Sequence, residues 1–234
     1  TGKTAVKEVL VEVVTEDEFA DHIAFGTEQS FAGSISSDPG DYSPAERLLD
    51  MGKKEDALSK YLDIYQSNEP EINEKIAELA FSLGKLNTAQ MFWEKNLTAN
   101  APFRDNAVKG MIKIGARLND HSLIDAYIDG LLAIDDTSIA SELFLVAGIE
   151  KERGNLETSS VLYQEFLKRY PLSSRIDSVY FYLGQIFEKK SDIQDVKKAI
   201  YYYTLVVDDY PTSEHWFESR DRVDYLNRYY FQIR

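Results

Sequence analysis

The sequence predicts an all-α protein in which helical hairpins stack one after another into a solenoid. A turn residue recurs about every 32 to 35 residues, at Gly52, Gly84, Asn119 and Gly154. A helical pattern of small and apolar residues recurs with the turns, and it ends at a proline four times, at Pro70, Pro102, Pro171 and Pro211. Self-similarity at such a period is the signature of repeat proteins, in which each unit buries its apolar face only against its neighbours.

Residues 1–42 do not follow the repeat. They contain nine acidic residues and two lysines, so this segment carries about half of the net charge of −14. Val9, Val11 and Val13 alternate as in extended chain, and the Gly- and Ser-rich stretch 26–40 predicts a loop. We predict an acidic, partly extended or flexible leader, which either is simply solvated or acts as an arm that orders against a partner.

The first hairpin is predicted to begin at Ser43. The Ser43 side chain can cap the helix, Pro44 suits the first helical position, and Glu46 stands three residues after the cap, as in a capping box. We expect a short first helix before the turn at Gly52 and a second helix over about 55–66. The helices of the next three hairpins are predicted at 72–83 with 88–98, 105–118 with 122–134, and 139–153 with 157–170.

The fifth hairpin has a longer turn than the others. Ser174 and Asp177 predict a second capping box at the start of its first helix. The distance from Gly184 to Ala199 exceeds the regular spacing by a few residues, so an enlarged turn is expected at 189–194.

Residues 213–232 are predicted to form one amphipathic helix that covers the apolar end of the solenoid. This helix is unusually aromatic, and its apolar residues are Trp216, Phe217, Tyr225, Leu226, Tyr229 and Tyr230. The alternative is that it docks on another subunit.

Composition excludes several kinds of partner. The net charge of −14 disfavours nucleic acid, which is bound through clustered lysine and arginine, and it disfavours an anionic membrane surface. No run of about 18 apolar residues occurs, so no membrane-spanning helix is predicted. At 44% apolar and 28% charged residues, the chain can bury a core.

No pattern of catalytic or metal-binding residues is found. The chain has no cysteine, and His22, His121 and His215 lie far apart without a second ligand at helical spacing. Acidic pairs are numerous, but nothing predicts that they are buried in a cleft. We therefore predict a protein that is not an enzyme and needs no cofactor. The Asn96-Leu97-Thr98 glycosylation pattern is discounted because it lies within a predicted helix.

The repeated pattern resembles the tetratricopeptide repeat (TPR) family, whose units carry a turn glycine, a small residue, an aromatic residue, another small residue and a terminal proline. Ala57 and Tyr61 match after the first turn, and the resemblance covers roughly residues 43–213. It implies a right-handed solenoid of about five hairpins plus a capping helix over 43–234, and a role in binding proteins.

In this family the first helix of each hairpin lines a concave face that holds the partner. Carried over to matching positions, the binding face comprises Glu74, Glu78, Phe81, Asn106, Lys109, Lys113, Phe144, Lys151, Phe181, Gln185 and Glu188. We expect Lys109 and Lys113 to contact acidic groups of a partner, and Phe144 and Phe181 to act as apolar anchors. Charge reversal of the two lysines is expected to leave the fold intact. The alternative is that these positions are merely solvated.

The C-terminal third is similar to the repeats of bacterial envelope TPR proteins, namely the outer-membrane-assembly lipoprotein of the Bam machinery and the periplasmic Tol-associated coordinator. The shared residues are Tyr163, Phe166, Tyr170-Pro171 and Ser173, and then Tyr203, Tyr210-Pro211 and Ser213. This implies a non-catalytic adaptor with envelope proteins as partners, in the periplasm or tethered to the outer membrane through a lipid-bearing segment removed ahead of Thr1. A homo-oligomer formed through the C-terminal helix and a cytosolic TPR co-chaperone remain open alternatives.

Overall fold

The computed structural model describes residues 41–66, 68–135 and 139–231, which all lie in one compact unit. The described residues form eleven α-helices and no strand. The helices are α1 Ser43–Asp50, α2 Lys54–Ile64, α3 Pro70–Ser82, α4 Leu86–Asn96, α5 Phe103–Leu118, α6 His121–Leu132, α7 Ala140–Arg153, α8 Leu156–Arg169, α9 Ile176–Glu188, α10 Val196–Asp209 and α11 Trp216–Phe231.

Consecutive helices pair into five hairpins, α1–α2, α3–α4, α5–α6, α7–α8 and α9–α10, and α11 packs against α10. The first helices of the second, third and fourth hairpins also contact one another, from α3 through α5 to α7. This is the predicted all-α solenoid of five hairpins with a capping helix, which the structure confirms. None of the described helices is both long and apolar enough to cross a membrane. Of the predicted leader, residues 1–42, positions 1–40 lie outside the described residues.

The repeating turn residues have the backbone geometry that a tight hairpin requires. Gly52, Gly84 and Gly154 have φ values of 74°, 76° and 85°, and Asn119 has φ 55°. Such left-handed positions end helices and favour glycine or asparagine, because a Cβ atom is strained there. The fifth hairpin instead uses the longer connection 189–195, as predicted from the spacing.

The two predicted capping boxes are wrong. Tyr42 occupies the position ahead of α1, and the backbone N–H of Ser43 donates to Asp41 Oδ1 at 3.0 Å. In the fifth hairpin, Asp177 instead accepts a hydrogen bond from Ser213 Oγ at 2.6 Å. Side-chain capping occurs at α6 and α10 instead, where an aspartate accepts from the backbone of the first turn at 3.0 Å, namely Asp120 and Asp195. A tertiary contact therefore recruits Asp177, whereas Ser43 is bound by its local neighbour Asp41.

Close helix packing explains the small residues of the repeat. A Cβ atom on Gly110 would lie 2.3 Å from the Trp93 ring, and one on Gly184 would lie 2.6 Å from the Tyr203 ring. Two apolar clusters of buried residues result, one spanning the first three hairpins and one running from the third hairpin to α11. Asn96 is fully buried and donates from Nδ2 to the Pro70 carbonyl at 2.8 Å, so the glycosylation pattern is inaccessible, as expected.

The inner side of α11 closes the second cluster. Leu226 and Ser219 are buried against α10, and Arg222 donates to Glu188 of α9. Gly184 of α9 and Asp224 of α11 occupy equivalent positions, because each follows the Tyr-Pro-x-Ser turn before its helix at the same separation in sequence. At Gly184 the Tyr203 ring of the next helix packs closely against α9, whereas Asp224 is exposed. At Asp224, α11 therefore lacks the close-packing position that Gly184 provides for another helix, although several aromatic side chains of α11 are exposed.

Candidate protein-binding groove

A groove of about 840 Å³ opens along α7, at the centre of the predicted concave face. Its walls come from α7, from the turn before α6 and the start of that helix, from α8, and from α9 and the residue before it. The lining residues are Asn119, His121, Ser141, Phe144, Leu145, Gly148, Ile149, Lys151, Glu152, Arg153, Tyr163, Arg175 and Tyr182. Most of the α7 members recur at spacings of three or four residues and so share one face of that helix; they are Ser141, Phe144, Leu145, Gly148, Ile149 and Glu152.

Three aromatic rings form the floor of the groove. The centroid of Phe144 lies 5.8 Å from that of Tyr163 and 6.1 Å from that of Tyr182, and the two tyrosine rings are 5.7 Å apart. These are the separations of favourable aromatic pairs. Each ring comes from a different helix, α7, α8 or α9, so the floor is held by packing between two hairpins.

Gly148 gives the groove its depth. A Cβ atom at this position would lie 3.6 Å from the Tyr163 hydroxyl, with no other side chain in between. Among the described residues, that hydroxyl has no hydrogen-bond partner. Burial raises the pKa of Tyr163 well above its usual value, so the hydroxyl stays protonated and can donate a hydrogen bond.

Cations stand around the aromatic floor. The Arg175 guanidinium lies 4.9 Å from the Phe144 ring centroid, and Lys151 Nζ lies 4.7 Å from that of Tyr182. Lys151 Nζ also donates to Gln185 Oε1 at 3.0 Å and pairs with Glu152 at 3.3 Å. A second depression of about 310 Å³ continues past Lys151 between α7 and α9.

Arg153 is part of the supporting structure of the groove. It donates to both carboxylate oxygens of Asp125 on α6, at 2.7 and 3.0 Å, and to the buried carboxylate of Glu150 at 2.5 Å. These bonds hold the pKa of Asp125 below its usual value. Arg153 therefore ties the third hairpin to the fourth, and its charge is neutralised within the protein.

The structure brings together some of the predicted binding residues in this groove. Phe144 and Lys151 line it directly, and Gln185 reaches it through its hydrogen bond with Lys151. Sequence reasoning missed Gly148, Tyr163 and other lining residues, Arg175 and Tyr182 among them. Two features of the sequence could have indicated them: Tyr182 is a second aromatic residue next to Phe181, and Gly148 is a glycine within a predicted helix. Periodicity alone does not tell which of two adjacent residues faces outward.

Phe181 and Glu188 do not lie on an open face. Phe181 is only 3% exposed and stacks on His215 with a centroid separation of 4.2 Å. Glu188 accepts from the Tyr203 hydroxyl at 3.0 Å and from Arg222. The predicted anchor role of Phe181 conflicts with this burial, because α11 and the turn before it cover that side of α9.

Several predicted residues of the earlier hairpins have partners within the protein. Asn106 donates to Glu74, a carboxyl whose pKa is raised by burial. Glu78 is exposed, Lys109 is half-buried, and Phe81 packs on Trp93 with centroids 5.5 Å apart.

Lys113 pairs with the buried carboxylate of Glu142 on α7, at 2.9 Å. Sequence analysis had assigned Lys113 to a partner's acidic groups. The expectation that its charge could be reversed at little cost did not include this internal partner.

The described residues contain no group of three histidine, cysteine, aspartate or glutamate side chains that could hold a metal ion.

Comparisons with known proteins identify the repeat and the fold. Residues 178–213 match the family model of the tetratricopeptide repeat. The structure of a MamA RS-1 ArsTM double mutant superposes with a TM-score of 0.54 at 18% identity, covering 82% of this chain and 97% of that chain. MamA from residue 41 to its end, from Desulfovibrio magneticus RS-1, gives 0.55 at 18% identity, covering 76% and 99%.

Two curated relatives are described only as uncharacterized proteins. One, from Borreliella burgdorferi strain B31, is 32% identical over 78 residues, which are 33% of this chain and 22% of the relative. The other, from Treponema pallidum strain Nichols, is 22% identical over 81 residues, which are 35% of this chain and 16% of the relative. The match thus spans about a fifth of the length of each relative. By fold this chain is a TPR-like helical-hairpin solenoid, with a recognisable tetratricopeptide repeat at 178–213.

Proposed function

We propose that this chain is a non-catalytic scaffold that binds a segment of a partner protein in the groove along α7. The observation that carries the proposal is the floor of three aromatic rings, Phe144, Tyr163 and Tyr182, in an open groove of about 840 Å³. Aromatic side chains with cations beside them are the residues that most often dominate the binding energy of protein interfaces.

The shape of the groove suits a peptide segment. The depression at Lys151 and Gln185 continues the groove between α7 and α9, which gives an extended path rather than a closed cavity. An extended segment can place one side chain in each part of such a path.

The test is to fill the groove with a larger side chain at Gly148. Gly148→Leu projects a side chain over Tyr163, whereas Gly148→Ala adds only a methyl group at an ordinary contact distance of 3.6 Å. A partner captured with the wild-type chain should lose at least about tenfold in affinity for the leucine variant and keep its affinity for the alanine variant. Unchanged binding to a correctly folded Gly148→Leu protein would exclude the groove as the docking site.

We further propose that the scaffold works in a bacterial cell envelope, in the periplasm or at the outer membrane, with envelope proteins as partners. The similarity of the two Tyr-Pro-x-Ser turns, at Tyr170 and Tyr210, to the repeats of envelope TPR proteins supports this location. Fractionation of cells, together with the N-terminal sequence of the natural full-length protein, tests it. A natural start without a signal or lipid-attachment sequence, in a cytosolic protein, would favour the co-chaperone alternative.

A second candidate function is self-association through α11. Its aromatic side chains include Phe217 at 68% exposure and Tyr229 at 53%, which is unusual for large apolar residues. Light scattering would show a dimer or trimer that Phe217→Ser disrupts, while Tyr201→Ser, at an equally exposed tyrosine of α10, leaves it intact. A monomer at all concentrations would eliminate this candidate.

A further inference from the structure

We propose that the groove selects an acidic peptide segment with one aromatic side chain, whose ring packs on the aromatic floor while a neighbouring carboxylate binds Arg175. This inference rests on the proposed function and specifies its ligand. It follows from the charges at the rim, the chemistry of the floor and the distance between them.

Arg175 is the rim cation that is available to a ligand. It is exposed, and among the residues that the structure describes its guanidinium forms no hydrogen bond or ion pair. The neighbouring cations differ, because Arg153 is bound to Asp125 and Glu150, and Lys151 to Glu152 and Gln185.

The position of Arg175 prepares it for a carboxylate. Its guanidinium carbon lies 4.9 Å from the Phe144 ring centroid. An arginine supported by an aromatic ring loses less side-chain freedom on binding, and its fork of N–H donors matches a carboxylate with two parallel hydrogen bonds. A carboxylate bound there would lie next to whatever group packs on Phe144.

The floor favours a ring over a small side chain. Phe144 and Tyr182, both partly exposed, offer apolar surface on the floor, and Leu145 and Ile149 add to the apolar walls. At the bottom, beneath Gly148, the unpaired Tyr163 hydroxyl can donate to an acceptor that an inserted side chain or backbone carries. An aromatic residue can cover such a floor, whereas a small side chain would leave it wet.

The charge pattern argues against a basic segment, although the whole chain is acidic. Glu152 is the one carboxylate among the residues that line the main groove, and it is paired with Lys151. A lysine- or arginine-rich segment would therefore meet the unpaired Arg175 and, among the lining residues, only the paired carboxylate of Glu152; Asp177 and Glu214 act on Tyr182 but do not line the groove. Like charges brought together oppose binding. At this groove the positive charge of Arg175 therefore matters more than the net charge of −14 of the whole chain.

The probes are four labelled synthetic peptides, measured by fluorescence anisotropy against the whole chain. The first has a central phenylalanine flanked by aspartate and glutamate. In the others the acids become asparagine and glutamine, the phenylalanine becomes alanine, or the acids become lysine. The first peptide should bind at least about tenfold more tightly than each of the others, since a charged hydrogen bond or a buried ring commonly accounts for that factor.

Protein variants locate the two contacts. Arg175→Glu should weaken the acidic phenylalanine peptide at least about tenfold and should improve binding of the lysine peptide. Arg228→Glu, which reverses an exposed arginine on α11, should change neither, and it serves as the matched control. Gly148→Leu should abolish binding of the acidic peptide, while Gly148→Ala preserves it. Circular dichroism checks that each variant is folded.

The outcomes separate the two proposals. If the four peptides bind equally, or if Arg175→Glu does not alter their ranking, the proposed ligand is wrong. If Gly148→Leu still blocks a captured partner in that case, the scaffold function stands with a different ligand. If Gly148→Leu affects neither the partner nor any peptide, both proposals fail.

Discussion

Loss of the Lys113–Glu142 ion pair should destabilise the solenoid by about 2 to 3 kcal/mol, far more than the loss of an ordinary surface pair. The Glu142 side chain is only 6% exposed and Lys113 is 44% exposed, with 2.9 Å between Nζ and Oε1. The second carboxylate oxygen, Oε2, is buried and has no hydrogen-bond partner. Lys113→Met would therefore leave a buried carboxylate with neither oxygen paired.

The magnitude follows from three limits. With an effective dielectric constant of about 20, two charges at this distance attract by about 6 kcal/mol, before both lose hydration. Removing one partner of a fully buried pair commonly costs about 3 to 5 kcal/mol, and the half-open position of Lys113 lowers this because water can enter. The loss of an exposed pair, about 0 to 1 kcal/mol, sets the lower limit.

Urea unfolding at neutral pH measures the effect. Far-UV circular dichroism should be combined with tryptophan fluorescence, because Trp93 lies in α4 and Trp216 in α11, so coincident transitions would show whether the solenoid unfolds as one unit. Lys168→Met is the matched control: it removes a lysine that pairs with Glu165 at 3.3 Å but is 77% exposed, and it should cost less than about 0.5 kcal/mol.

The double variant Lys113→Met with Glu142→Leu should recover most of the loss, because a buried pair replaced by apolar side chains of similar size is often neutral. If Lys113→Met costs no more than Lys168→Met, Glu142 is not buried as described and the reasoning fails. In that case the earlier expectation, that Lys113 can be reversed without harm, would be restored.

Three further predictions concern packing and pH. Gly184→Ala should cost about 1 to 3 kcal/mol in urea unfolding, because its Cβ would lie 2.6 Å from the Tyr203 ring; a neutral result would mean that α9 and α10 can separate freely. Asn96→Ala should cost about 2 kcal/mol, since it strands the Pro70 carbonyl and removes one of the two acceptors of the Asn73 amide, and a loss under about 0.5 kcal/mol would contradict that network. The hydrogen bond from Arg169 lowers the pKa of Glu165, so this carboxyl stabilises the fold above the usual glutamate value of about 4.3 and ceases to do so as the pH falls through its lower folded value. Glu165→Gln should therefore lower the melting temperature at pH 7 and lower it progressively less as the pH falls below about 4.3, and a loss that does not change with pH would refute the assignment.

Sequence alone was sufficient for the helical hairpins because their determinants are local. Glycine or asparagine at a left-handed turn, small residues where helices cross and proline after the second helix act within one hairpin, so periodicity reveals them. The same reasoning predicted the enlarged connection after Glu188, because the separation from Gly184 to Ala199 exceeds the regular spacing of the repeat. It failed at Ser43 and Ser174, where the local capping pattern is present but the expected caps do not form.

The binding face was predictable only in outline. The structure places Phe144 and Lys151 in the lining of the groove, because a residue on the first helix of a hairpin has a limited choice of directions, and their role in binding stays a prediction. Phe181 and its neighbour Tyr182 differ by about a third of a turn on α9, and the covering by α11 decides which one is buried. That covering is a contact between distant parts of the chain, so no local pattern contains it.

The sequence by itself determined the number of hairpins, their order and the capping helix, because each depends on residues within about one repeat. Only the tertiary structure decided which charged side chains are already paired within the protein. Lys113 is neutralised by Glu142 from the next hairpin, while Arg175 remains unpaired beside an aromatic floor that three helices build together. Burial and pairing depend on where the neighbouring hairpin places its side chains, and this position follows from packing across the whole stack rather than from any single segment.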